Sequence, residues 1–73
     1  MSLPVHREWT VQVVSSVDMV PVGVDDREVR ALREDDATRI VVSRQLATLR
    51  QAHPNAKSFE VEVVGVWPGE IVP

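Results

Sequence analysis

Two stretches of the chain alternate apolar and polar side chains with a period of two. In "EWTVQVVSSV" (8–17), Trp9, Val11, Val13, Ser15 and Val17 share one face, and Thr10, Gln12, Val14 and Ser16 the other. In "SFEVEVVGVW" (58–67), Phe59, Val61, Val63, Gly65 and Trp67 fall on one side, while Glu60 and Glu62 mark the opposite side as wet. Alternation of this kind predicts strands with one face buried. Each strand offers an aromatic residue and several valines to one common core. The pattern has exceptions: Val64 and Val66 fall on the glutamate side, and Val14 on the polar side of the first strand. These three valines need cover that the alternation does not supply.

Between the two strands the period changes. Asp18 suits a turn, and Met19 to Val24 fit a short strand, confined to a sheet edge because Pro21 has no N–H to donate. The long segment from Asp25 to His53 reads as helical. Asp25 with Glu28 three residues on resembles a capping box, and Pro54 stops the helix at His53. Val42, Leu46 and Leu49 line one stripe, joined by Thr38 and His53. Ile40 and Ala47 point almost oppositely, with Val29 beside them. One straight amphipathic helix does not do this. Either the segment breaks near "EDDAT", with Asp36 as a second N-cap, or a single helix has apolar strips on two sides; "TRIVVSR" as a strand is a third reading. Helix throughout, kinked near Asp35, fits the pattern best. The expected fold is α+β: a two- to three-stranded sheet with one long or broken helix on one face, in the order β-(β)-α-β. Residues 1–6 and 68–73 are expected to be tails, with a turn at Pro68-Gly69.

Length and composition narrow this further. Seventy-three residues make a single domain at most, with a net stability of roughly 4–10 kcal/mol at ordinary per-residue values. There is no cysteine, so neither a disulfide nor a thiolate metal site can staple so small a core. Sixteen valines against four leucines and two isoleucines favour a sheet. The formal net charge is -3, no footprint for non-specific nucleic-acid binding. No apolar run is long enough to span a bilayer, and no signal-peptide layout opens the chain. A cytoplasmic protein is the expectation.

Candidate chemistry is sparse. The 25–53 segment holds six acidic and six arginine side chains, with the acids toward its start and the arginines toward its end. That order complements a helix macrodipole, and Asp26–Arg30 and Asp35–Arg39 have the favourable i,i+4 orientation. A solvated helix face explains the charges. On such a helix Arg30, Arg33 and Arg44 converge and could grip an anion. His6 and His53 have no partner at metal-ligand spacing. Glu60 and Glu62 are spaced for paired-carboxylate chemistry but also simply continue the wet face. Ser15-Ser16 has no recognisable base, and the three glycines form no phosphate-cradling loop. No catalytic, cofactor-binding or metal residue is assigned, and no cofactor is expected.

What remains is an apolar surplus: Val14, Val64 and Val66 on the sheet, Ile40 off the helix stripe, and Ile71 and Val72 in the tail. Burying a valine contributes roughly 1.5 kcal/mol or more, so these residues point to docking. The leading expectation is a non-catalytic interaction or assembly module, binding itself as a homo-oligomer or a larger protein. A nucleic-acid-associated regulator using the arginine face, and an oligomeric enzyme or carrier with a subunit-junction site using Glu60, Glu62 or His53, are the alternatives.

Overall fold

A computed structural model describes residues 6–71. Its elements are β1 (Arg7–Val17), β2 (Val20–Ala31), α1 (Glu34–Ala52) and β3 (Phe59–Ile71). The strands form one antiparallel sheet in the order β2-β1-β3, with α1 packed on one face. The architecture is the expected α+β, with the optional third strand present and long.

β1 behaves as its alternation predicts: Val11, Val13, Ser15 and Val17 are buried, and the residues between them are half-buried. The β1–β2 hairpin turns on Asp18 and Met19, both in the left-handed region (φ 50° and 68°), between the paired residues Val17 and Val20. This two-residue geometry matches the right-handed twist of the strands. Asp18 then ties the hairpin to the start of β3. Its Oδ1 accepts from the backbone N–H of Lys57 (2.8 Å) and of Ser58 (3.0 Å), and its own N–H donates to the Ser58 carbonyl (3.0 Å).

The expectation of a helix from Asp25 fails. Residues 25–31 continue β2, and α1 starts only at Glu34. β1 is a long, valine-rich strand, and pairing its whole length from Arg7 to Val17 draws in all of Val20–Ala31; tertiary pairing overrides the local capping signals. The Asp25–Glu28 box and the Asp26–Arg30 helical pair therefore do not exist. Asp36 is not an N-cap either. Arg33 holds that position in extended conformation, without a side-chain cap. Asp36 instead bridges Arg33 (3.7 Å) and Arg39 (2.7 Å) in the first turn, where acids suit the dipole. The C-terminal reading stands: His53 is the C-cap, its N–H bonded to the Leu49 carbonyl at 2.8 Å.

The buried stripe of α1 is Ala37, Val41, Gln45 and Leu49, at successive i+4 positions. Val42 and Leu46, expected at its centre, lie half-buried on its flank. The core joins Val11, Val13, Val29, Ala31, Ala37 and Val41, with Trp9, Ile40, Val61, Val63 and Val66 packed against it. Trp9 completes its polar edge by donating Nε1–H to the Ala31 carbonyl at 3.1 Å.

β3 changes faces partway along. Val63 pairs with Val13, but the next residue of β1, Gln12, pairs with Gly65, so Val64 is an extra residue in a β-bulge. The bulge reverses the parity beyond it. Val66, opposite Val11, turns into the core, and Trp67, opposite Thr10, turns out and is 50% exposed. The expected inward Trp67 and outward Val66 are thus exchanged. Pro68 to Ile71, expected in a tail, continue β3.

Candidate interaction surfaces

The molecule is a slab about 50 × 18 × 15 Å along its principal axes. One sheet face carries α1. No other described element packs on the opposite face, so its side chains meet solvent. The register places on it Glu8, Thr10, Gln12, Val14 and Ser16 of β1, Val24, Asp26, Glu28 and Arg30 of β2, and Glu60, Glu62, Gly65 and Trp67 of β3. Val14 and Val24 sit directly opposite each other, and Val24 is 62% exposed. The Trp67 ring lies over Gly65: a Cβ added there would come within 2.5 Å of the ring carbon Cη2. Only glycine admits this close approach.

The residues expected to dock are thus dispersed. Val66 and Ile40 serve the core. Val14 lies on the open face and Val64 in the bulge, 49% exposed. Ile71 ends β3 opposite Arg7, and Val72 lies outside the described residues. Sequence reasoning misses Val24 and Trp67, the first because a short strand ending at Val24 gives no register opposite Val14, the second because the bulge is invisible to a period-two count.

The three arginines do not converge as a helix would place them. Arg30 is on β2, 3.9 Å from Glu8. Arg33 pairs with Asp36 at the start of α1. Arg44 reaches the β2 edge, where a cleft of about 410 Å³ brings it near Arg30, but Glu8 and Glu28 line the same cleft and balance the charge.

Below that cleft the helix meets β2 through a polar network. Gln45, buried on the helix stripe, donates Nε2–H to Ser15 Oγ (2.9 Å) and to Asp25 Oδ2 (3.0 Å), and its Oε1 accepts from Arg27 Nε (3.2 Å). No buried side-chain polar atom among the described residues lacks a partner. Glu60 and Glu62 stand on the open face, opposite Ser16 and Val14. His53 is half-buried at the helix end, His6 is exposed, and among the described residues no group of three His, Asp or Glu side chains is placed to hold a metal ion. No described helix is long and apolar enough to cross a membrane.

The two sheet edges differ. β2 carries Pro21, Asp25, Asp26, Arg27, Glu28 and Arg30, the devices that blunt an exposed edge. β3 has an uncharged run, Val63-Val64-Gly65-Val66-Trp67, before Pro68. Beside it, between β3 and α1, runs a groove of about 610 Å³ lined by Val42, Leu46 and Val63 together with Arg39 and Arg50. Comparison with known proteins finds no matching family model, no similar curated protein and no similar solved structure.

Proposed function

We propose that this chain is a non-catalytic assembly module that self-associates through the β3 edge and its adjoining groove. The supporting observation is the contrast between the edges: β2 is guarded by charge and proline, whereas the centre of β3 is uncharged and flanked by Val42, Leu46 and Val63. An added strand would satisfy the free backbone groups of β3 and direct alternate side chains into the groove. A second copy supplies both parts. Antiparallel pairing of β3 with its mate about a two-fold axis makes the contact isologous, with the valines of each strand and Val42 and Leu46 of each helix closing one apolar seam. The sheet becomes six-stranded, and each copy loses its vulnerable edge. This keeps the expectation of self-association and assigns it to the β3 edge.

Light scattering coupled to size exclusion tests the proposal. The protein should elute at twice the 8.2 kDa chain mass at high micromolar concentration. Val64→Lys, at a half-exposed bulge position, should return it to a folded monomer, because a lysine on an edge opposes pairing. A wild-type chain running at 8.2 kDa, or a Val64→Lys variant that remains dimeric, refutes edge pairing.

A further inference from the structure

Edge pairing leaves the open sheet face uncovered in either copy. That face is amphipathic, and its charge decides what can lie on it. Its apolar part is Trp67 together with the opposed pair Val14 and Val24. Among the described residues, Glu8, Asp26, Glu28, Glu60 and Glu62 stand around these, against one cation, Arg30, which is already beside Glu8. The helix side has the reverse balance: Arg7, Arg27, Arg33, Arg39, Arg44 and Arg50 against Asp25, Glu34, Asp35 and Asp36. The chain's charge of -3 is therefore not spread evenly but is gathered on the sheet face.

We infer that the open face is a docking site for a cationic amphipathic segment of another protein, with an apolar stripe flanked by lysine or arginine side chains. Face-to-face packing of two copies would set five carboxylates against five, and like-charge juxtaposition opposes association. The same carboxylates complement a basic partner and steer its approach. The valines and Trp67 select a partner with apolar side chains between its charges, because Trp67 is a half-exposed aromatic of the kind that anchors interfaces. The inference is separate from self-association: Trp67 belongs to the β3 run proposed to pair, but pairing uses the backbone groups of that strand and the groove, whereas docking uses side chains of the open face.

The two tryptophans provide the test. Trp9 is on the helix side with its indole N–H bonded to Ala31, and Trp67 is on the open face. In a ¹H–¹⁵N spectrum, an amphipathic peptide of leucine and lysine should shift the Trp67 indole signal saturably and leave the Trp9 signal in place. Asp26→Lys/Glu28→Lys, on the solvent-facing side of β2 and away from the β3 edge, should fold normally and bind this peptide about tenfold or more weakly. Raising the salt should weaken the wild-type complex in the same direction. A leucine–glutamate peptide should not bind. Four results would each overturn the inference: equal binding of the acidic peptide, equal binding of a lysine–serine peptide without apolar residues, shifts confined to α1, or an unchanged affinity in the double variant. The outcome is independent of oligomeric state, because a monomer and an edge-paired dimer both expose this face.

Discussion

Replacing Gln45 with methionine keeps the length of the side chain and removes all its hydrogen bonds. Three partners are affected, but not equally. Arg27 is exposed and Asp25 half-buried at the β2 edge, so both can turn to water. Ser15 is only 1% exposed and its hydroxyl is stranded. An orphaned buried hydroxyl costs about 1–3 kcal/mol, and burial of the less polar methionine returns about 1 kcal/mol. The net loss for Gln45→Met is then about 0–2 kcal/mol. Ser15→Ala leaves the Gln45 amide still bonded to Asp25, and should lose about 1 kcal/mol. In Ser15→Ala/Gln45→Met no buried polar atom is left without a partner, so the double variant should lose less than the two single variants together. The expected coupling is about 1–2 kcal/mol, or several degrees in Tm for a domain of this size. Urea unfolding followed by far-ultraviolet circular dichroism, with an unchanged m-value, measures each corner of the cycle. Strictly additive losses, or a Gln45→Met single variant more stable than wild type, would show that the network does not join helix to sheet as described.

The same network explains what was hard to read in the sequence. The β1 and β3 alternations, the hairpin turn at Asp18, the end of the helix at His53 and the α+β class all follow from short-range pattern. Gln45 occupies the centre of the buried stripe, so an apolar count shifts the stripe toward Val42 and Leu46. Asp25 and Arg27, which bond Gln45, occupy helix-facing positions of β2 and erase its alternation. A polar cluster satisfied only in three dimensions thus hid half a strand and recentred a helix. The open surface was missed for a different reason. One extra residue at Val64 exchanges the faces of Val66 and Trp67, and nothing local in "VEVVGVW" distinguishes a bulge from a continuous strand. Gly65 is the single clue, intelligible only once the Trp67 ring is seen lying across it.

Five further substitutions or deletions probe the backbone. Met19→Gly relieves an ordinary residue held at φ 68° and should raise stability by about 0.5–1 kcal/mol, read as a higher urea midpoint; a lower midpoint would contradict the turn. Asp18→Ala removes the acceptor of the Lys57 and Ser58 amides, at about 1–2 kcal/mol; those two amides should exchange faster with solvent, and unchanged rates would count against the clamp. Gly65→Ala should lift the Trp67 ring from the sheet and shift its emission to longer wavelength, whereas an unmoved spectrum would place the ring elsewhere. Deleting Val64 is the sharpest test. Removing one residue from a regular strand turns every later side chain to the other face. Here the deletion removes the bulge itself: Val63 stays opposite Val13, Gly65 stays opposite Gln12, Val66 remains in the core and Trp67 remains outside. The loss should stay within about 1 kcal/mol, because no core side chain is removed. Deleting Val66 instead would drive Trp67 inward against Val11, combining a lost valine with overpacking at about 1–3 kcal/mol or more. If the Val64 deletion unfolds the protein while the Val66 deletion is tolerated, the two faces of β3 have been assigned the wrong way round.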